Sequence, residues 1–69
     1  MTHTAEKSLK FLQAKAITGI KDFKDLDLMT ELGLSYEIAF NVIAELEKYG
    51  YIEVDRQYVN SHFTLIELL

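Results

Sequence analysis

Apolar residues recur through the first sixteen positions at the spacing of one helix face: Ala5, Leu9, Leu12 and Ala16, with Phe11 widening the stripe. Positions three and four apart share one side of an α-helix, so a helix is expected from about Thr4 to Ala16, with Thr4 as its N-cap. Lys7, Lys10 and Lys15 fall mainly off the stripe and make the outer face basic. The pattern breaks at Ile17-Thr18-Gly19-Ile20, where two β-branched residues flank a glycine, as in a turn or a short first strand. A second helix is expected from Phe23 or Asp25 to Leu32, with Leu28 and Leu32 inward and Met29 or Leu26 beside them. Acidic residues cluster in its first turn, where the helix dipole favours them. Gly33 stands just past its end, where a left-handed residue closes a helix. Ser35 then caps a third helix whose core stripe is Ala39, Val42, Ile43 and Leu46, with Ile38 and Tyr49 at its margins and Gly50 as its stop.

After Gly50 the apolar period changes to two. Ile52 and Val54 alternate with Glu53 and Asp55, and a second strand is expected over Phe63-Thr64-Leu65-Ile66-Glu67-Leu68, with Asn60-Ser61 as the turn signal between them. Two registers are open. A three-residue loop centred on Asn60 sets Ile52 against Leu68 and Glu53 against Glu67, which like charges disfavour. A four-residue loop, Gln57 to Asn60, sets Ile52 against Leu65, Val54 against Phe63 and Asp55 against His62, and is preferred. Two helices joined by a short Gly-containing turn and followed by a hairpin define the expected fold. It is an α+β, mainly α, winged helix-turn-helix: three helices with a small antiparallel sheet of two or three strands, in one domain spanning 1–69.

The composition allows such a core and little else. A chain of 69 residues buries only about 60% of its unfolded surface, and with no cysteine there is no disulfide or thiolate metal site to staple it. No apolar run approaches the roughly 20 residues that span a bilayer. Residues 1–15, MTHTAEKSLKFLQAK, lack the apolar centre of a secretory leader, so a cytoplasmic location and no membrane contact are expected.

Charge changes the functional picture. The net charge of −4 is unevenly spread: residues 1–24 carry five lysines against Glu6 and Asp22, whereas residues 25–50 carry six carboxylates against Lys48. The basic charge thus lies outside the helix-turn-helix, although a phosphate-binding surface needs Lys and Arg to displace counterions. Catalytic chemistry is sparse. There is no Cys nucleophile, and neither His3 nor His62 has a second ligand at metal spacing. Asp25, Asp27 and Glu31 lack the spacing of a Ca²⁺ loop, and there is no Gly-rich phosphate loop. No enzyme activity, cofactor, metal or small-molecule substrate is expected.

The outward positions of the third helix are Tyr36, Glu37, Phe40, Asn41, Ala44, Glu45 and Lys48. Read against DNA, Asn41 suits adenine, Glu37 a cytosine amine and Phe40 a thymine methyl, with Ser35 and Tyr36 at the helix start and Lys48 on a phosphate. Arg56 and Tyr58, near the tip of the wing with Gln57, Asn60 and His62, would approach a minor groove. Read against a protein, Tyr36 and Phe40 are an apolar patch for a partner or a dimer mate.

Leu34-Ser35-Tyr36-Glu37-Ile38-Ala39, followed by Val42, Ile43, Leu46, Glu47 and Gly50, resembles the C-terminal gamma winged-helix domain of the bacterial septal DNA translocases, the FtsK family. That family's core runs approximately as an apolar-rich second helix, I-G-Y-N-R-A, an apolar third helix, an acidic tail and a Gly before the wing. Tyr36, Ala39, Ile43 and Gly50 match, over a resemblance that covers about Ser8 to Ile52. These are packing and turn residues, so they bear on fold more than on function. The family's Asn-Arg after the Tyr is Glu37-Ile38 here, and a later Arg is Asn41, so its DNA-reading role does not carry over at 37 and 38 and does so only weakly at 41. No motor domain is expected ahead of the stretch. The resemblance implies a free-standing small winged helix, of the kind found among phage, plasmid and small bacterial regulators, with double-stranded DNA as its ligand. The alternative is an acidic protein-interaction module or DNA mimic that has lost its phosphate contacts.

Overall fold

The computed structural model describes residues 1–58 and 62–66. Its elements run α1 (His3–Ile17), β1 (Asp22–Lys24), α2 (Asp25–Leu32), α3 (Tyr36–Lys48), β2 (Ile52–Asp55), a 3-10 turn (Arg56–Tyr58) and β3 (His62–Leu65). The strands form one antiparallel sheet in the order β1-β3-β2. Three helices against this sheet make an α+β layout of the winged-helix type, with α2, a three-residue turn and α3 as the helix-turn-helix.

The core selects the expected stripes. Ala5, Leu9 and Leu12 of α1, Leu28 of α2 and Ala39, Val42, Ile43 and Leu46 of α3 are buried against Phe23, Ile52, Val54, Phe63 and Leu65 of the sheet. Phe11, Ala16, Met29 and Leu32 pack partly buried around them. Of the two residues expected beside Leu28, Met29 turns in and Leu26 stays exposed. The register of β2 on β3 is the one with Ile52 against Leu65 and Asp55 against His62, which keeps both apolar pairs on the core face. The connection is longer than four residues, because Arg56 leaves the ladder for the 3-10 turn. Asn60-Ser61 and the expected continuation of the strand through Glu67-Leu68 lie outside the described residues.

One boundary differs from the sequence reading. The cap of α1 is Thr2, not Thr4: Thr2 Oγ1 accepts from Ala5 N at 3.2 Å. Thr4 lies inside the helix, where its carbonyl accepts from the hydroxyl of buried Ser8 at 2.8 Å. Both threonines can cap, and the contact of Thr2 with α3 described below favours the earlier one. Of the two readings open for Ile17-Thr18-Gly19-Ile20, a turn or a short first strand, the turn is present: Ile17 ends α1, Gly19 N donates to Ala16 O and Ile20 N to Lys15 O. The strand follows at Asp22–Lys24 because Phe23, not either isoleucine, finds the core, with its ring 5.8 Å from that of Phe63.

The ends of α2 and α3 set the pose of the helix-turn-helix. Gly33 has φ 66° and ψ 27°, the left-handed conformation that a side chain would strain. At the end of α3, Gly50 N donates to Glu47 O and Tyr51 N to Leu46 O, a paired closure that needs the positive φ of Gly50 and turns the chain into β2.

Leu46 has no exposed surface, and α3 contacts α1, α2 and β2. Leu46→Ala is therefore expected to lower stability by about 2–5 kcal/mol, a large part of the roughly 3.5–10 kcal/mol that a domain of this size has. Urea denaturation followed by circular dichroism checks this; an unchanged midpoint would contradict the packing described.

Candidate interaction face on the third helix

One stripe of α3 is buried, so the opposite row is fixed outward. Glu37, Asn41, Ala44 and Lys48 are all exposed, at steps of four, three and four residues along one side of the helix. Lys48 Nζ lies 5.9 Å from the centre of the Tyr49 ring. Beside this row the first turns of α3 carry three large apolar side chains in the open: Tyr36 at 57% exposure, Ile38 at 45% and Phe40 at 40%. The Tyr36 and Phe40 rings lie 6.4 Å apart, tilted by 41°.

Two shallow grooves flank the row. On the wing side the groove is lined by Phe40, Ile43, Ala44, Glu47, Val54 and Arg56. Across it Arg56 Nη2 donates to Glu47 Oε1 at 2.6 Å. The wing arginine therefore faces a carboxylate of its own chain. On the other side Thr2, Thr4, Ile38, Asn41, Val42 and Glu45 line a second groove. There Thr2 N and Oγ1 both donate to the Glu45 carboxylate, at 2.8 and 2.7 Å. These two bonds hold the Glu45 carboxyl below the ordinary glutamate value. Glu45 thus joins α3 to the start of α1 instead of belonging to the outer row.

The helix N-termini, where phosphates commonly bind, are served from within the chain. Ser35 Oγ accepts from Ile38 N at 3.2 Å at the start of α3. At the start of α2, Asp27 accepts from Lys24 N and Asp25 from Leu26 N, both at 2.8 Å. The acidic residues of the helix-turn-helix therefore act largely as local caps and ties.

Tyr36, Glu37, Phe40, Asn41 and Lys48 all stand exposed on α3 behind the Ser35 cap; Arg56 shares the wing-side groove with Phe40, and Asn41 lines the other groove. The side chain of Tyr58 lies outside the described residues. Ile38 stands at the margin of the core stripe, as the sequence suggests, one turn before buried Val42, and its own side chain is left 45% exposed. Glu47 and Thr2 were overlooked, because their partners sit across a turn or at the far end of the chain. Among the described residues no three His, Asp or Glu side chains converge as a metal-binding set, and no helix is long and apolar enough to cross a membrane. No family model, curated protein or solved structure matches the chain.

The Glu45 tie has a pH signature. A carboxyl whose folded value lies below its unfolded one contributes stability above the ordinary glutamate range and loses it as pH falls through the folded value. Glu45→Gln is therefore expected to unfold at lower urea than the parent at neutral pH, with the gap closing in acid. Urea midpoints across a pH series check this; a gap that persists unchanged in acid would contradict the tie.

Proposed function

We propose that this protein is a non-enzymatic cytoplasmic winged-helix module that binds a protein partner through the outer face of α3. The observation that carries this reading is the exposure of Tyr36 and Phe40, whose rings lie 6.4 Å apart on one side of α3. Exposed aromatic side chains grouped on a rigid element, with polar residues at the rim, are what a protein interface uses as anchors. The electrostatics favour the same reading. A DNA surface needs a surplus of cations, yet around α3 the charges of Lys48 and Arg56 are matched in number by Glu37 and Glu47, and Arg56 is bonded to Glu47.

A second reading has its own support: a small DNA-binding regulator of transcription. Asn41 and Lys48 are exposed on the row that a recognition helix turns to base edges and phosphates. The resemblance to the gamma domain of the septal DNA translocases supports it through the fold alone.

Fluorescence anisotropy separates the two. With a labelled mixed-sequence duplex, no binding is expected at low or near-physiological salt. Binding that falls steeply with salt and weakens in Asn41→Ala and Lys48→Ala would overturn the protein reading in favour of DNA. In parallel, cross-linked capture from the cells that make the protein should retain a species that Phe40→Ala loses while its circular dichroism spectrum stays unchanged.

A further inference from the structure

The outer row of α3 is self-complementary, and we propose that the partner it fits is a second copy of this chain, packed antiparallel on the same helix about a two-fold axis. This rests on the protein-binding reading above and names its partner. The row runs Glu37, Asn41, Ala44, Lys48, about 16 Å from end to end at 1.5 Å per residue, and every member is exposed. Its acid is at the N-terminal end and its base at the C-terminal end. In an antiparallel pair centred between Val42 and Ile43, Glu37 meets the partner's Lys48 and Lys48 meets the partner's Glu37. A two-fold axis makes each such contact twice, as an isologous interface requires.

The middle of the row suits close approach. Asn41 meets the partner's Ala44 in the same register. A small alanine lets helix axes come together, and a lone central polar residue is a device that fixes register in paired helices. Steps of four and three residues are those of the seam between two helices packed about 20° from antiparallel. A parallel pairing would instead set Glu37 on Glu37 and Lys48 on Lys48, which like charge opposes. The pairing covers the α3 face that DNA reading would need, so a dimer of this form excludes that use of the helix.

Sedimentation equilibrium of the full chain, wild type against Glu37→Lys, Lys48→Glu and the double charge swap, tests this. Wild type is expected to dimerise. Each single reversal should weaken association by about tenfold or more, since it creates like-charge contacts at both ends of the pair. The double swap should return it to within a few-fold of wild type. Ala44→Glu, which leaves both helix ends untouched, should abolish the dimer while circular dichroism shows the fold intact. A wild type that stays monomeric to about 1 mM, or a dimer indifferent to all four variants, overturns the proposal. A monomer that still captures another protein through Phe40 would sink the second-copy partner and leave the protein-binding reading standing; salt-sensitive DNA binding through Lys48 would sink both.

Discussion

Burial of the Ala39, Val42, Ile43 and Leu46 stripe is the contact on which the rest of the structure depends. It sits between α1, α2 and β2, so the same four side chains join the helices to one another and to the sheet. Complete burial of side chains of this kind contributes about 1.5–3 kcal/mol each for the larger ones. With no cysteine to cross-link the chain, that contribution is indispensable. The stripe also fixes the rotation of α3 about its own axis. Once it faces in, Glu37, Asn41, Ala44 and Lys48 have to face out.

The charge pattern takes on a different meaning in three dimensions. The helix-turn-helix is acidic in sequence, yet much of that acid is committed locally. Asp25 and Asp27 bond backbone N–H groups at the start of α2, Glu45 holds Thr2, and Glu47 holds Arg56. What remains on the outer row is one acid and one base at opposite ends. That arrangement carries no surplus of either sign, and the exposed rings of Tyr36 and Phe40 are the largest apolar groups beside it. The basic stripe of Lys7 and Lys10 lies on α1, outside the outer row of α3.

Much of this was legible before any coordinates. Helix spacing identified α1 and α3, the alternation of Ile52 and Val54 identified β2, and the repulsion of Glu53 and Glu67 selected the correct register. Gly33 and Gly50 marked the two helix ends because each sits where only a positive φ closes the helix. What escaped was non-local. The first strand centres on Phe23 because of Phe63, forty positions later. Thr2 rather than Thr4 starts α1, beside its partner Glu45. The pairing of Arg56 with Glu47 crosses the turn at Gly50, and periodicity along one helix does not register it. For the face itself, sequence supplied the residues, and the structure supplied which of them are tied up.

Amide ¹H–¹⁵N shifts followed on dilution test most directly whether the outer face of α3 pairs with a second copy of this chain. The account predicts concentration-dependent shifts confined to residues 36–49, with the outer face of α1 at Lys7 and Lys10 unmoved. Shifts absent from α3, or centred instead on Lys7 and Lys10, would contradict it.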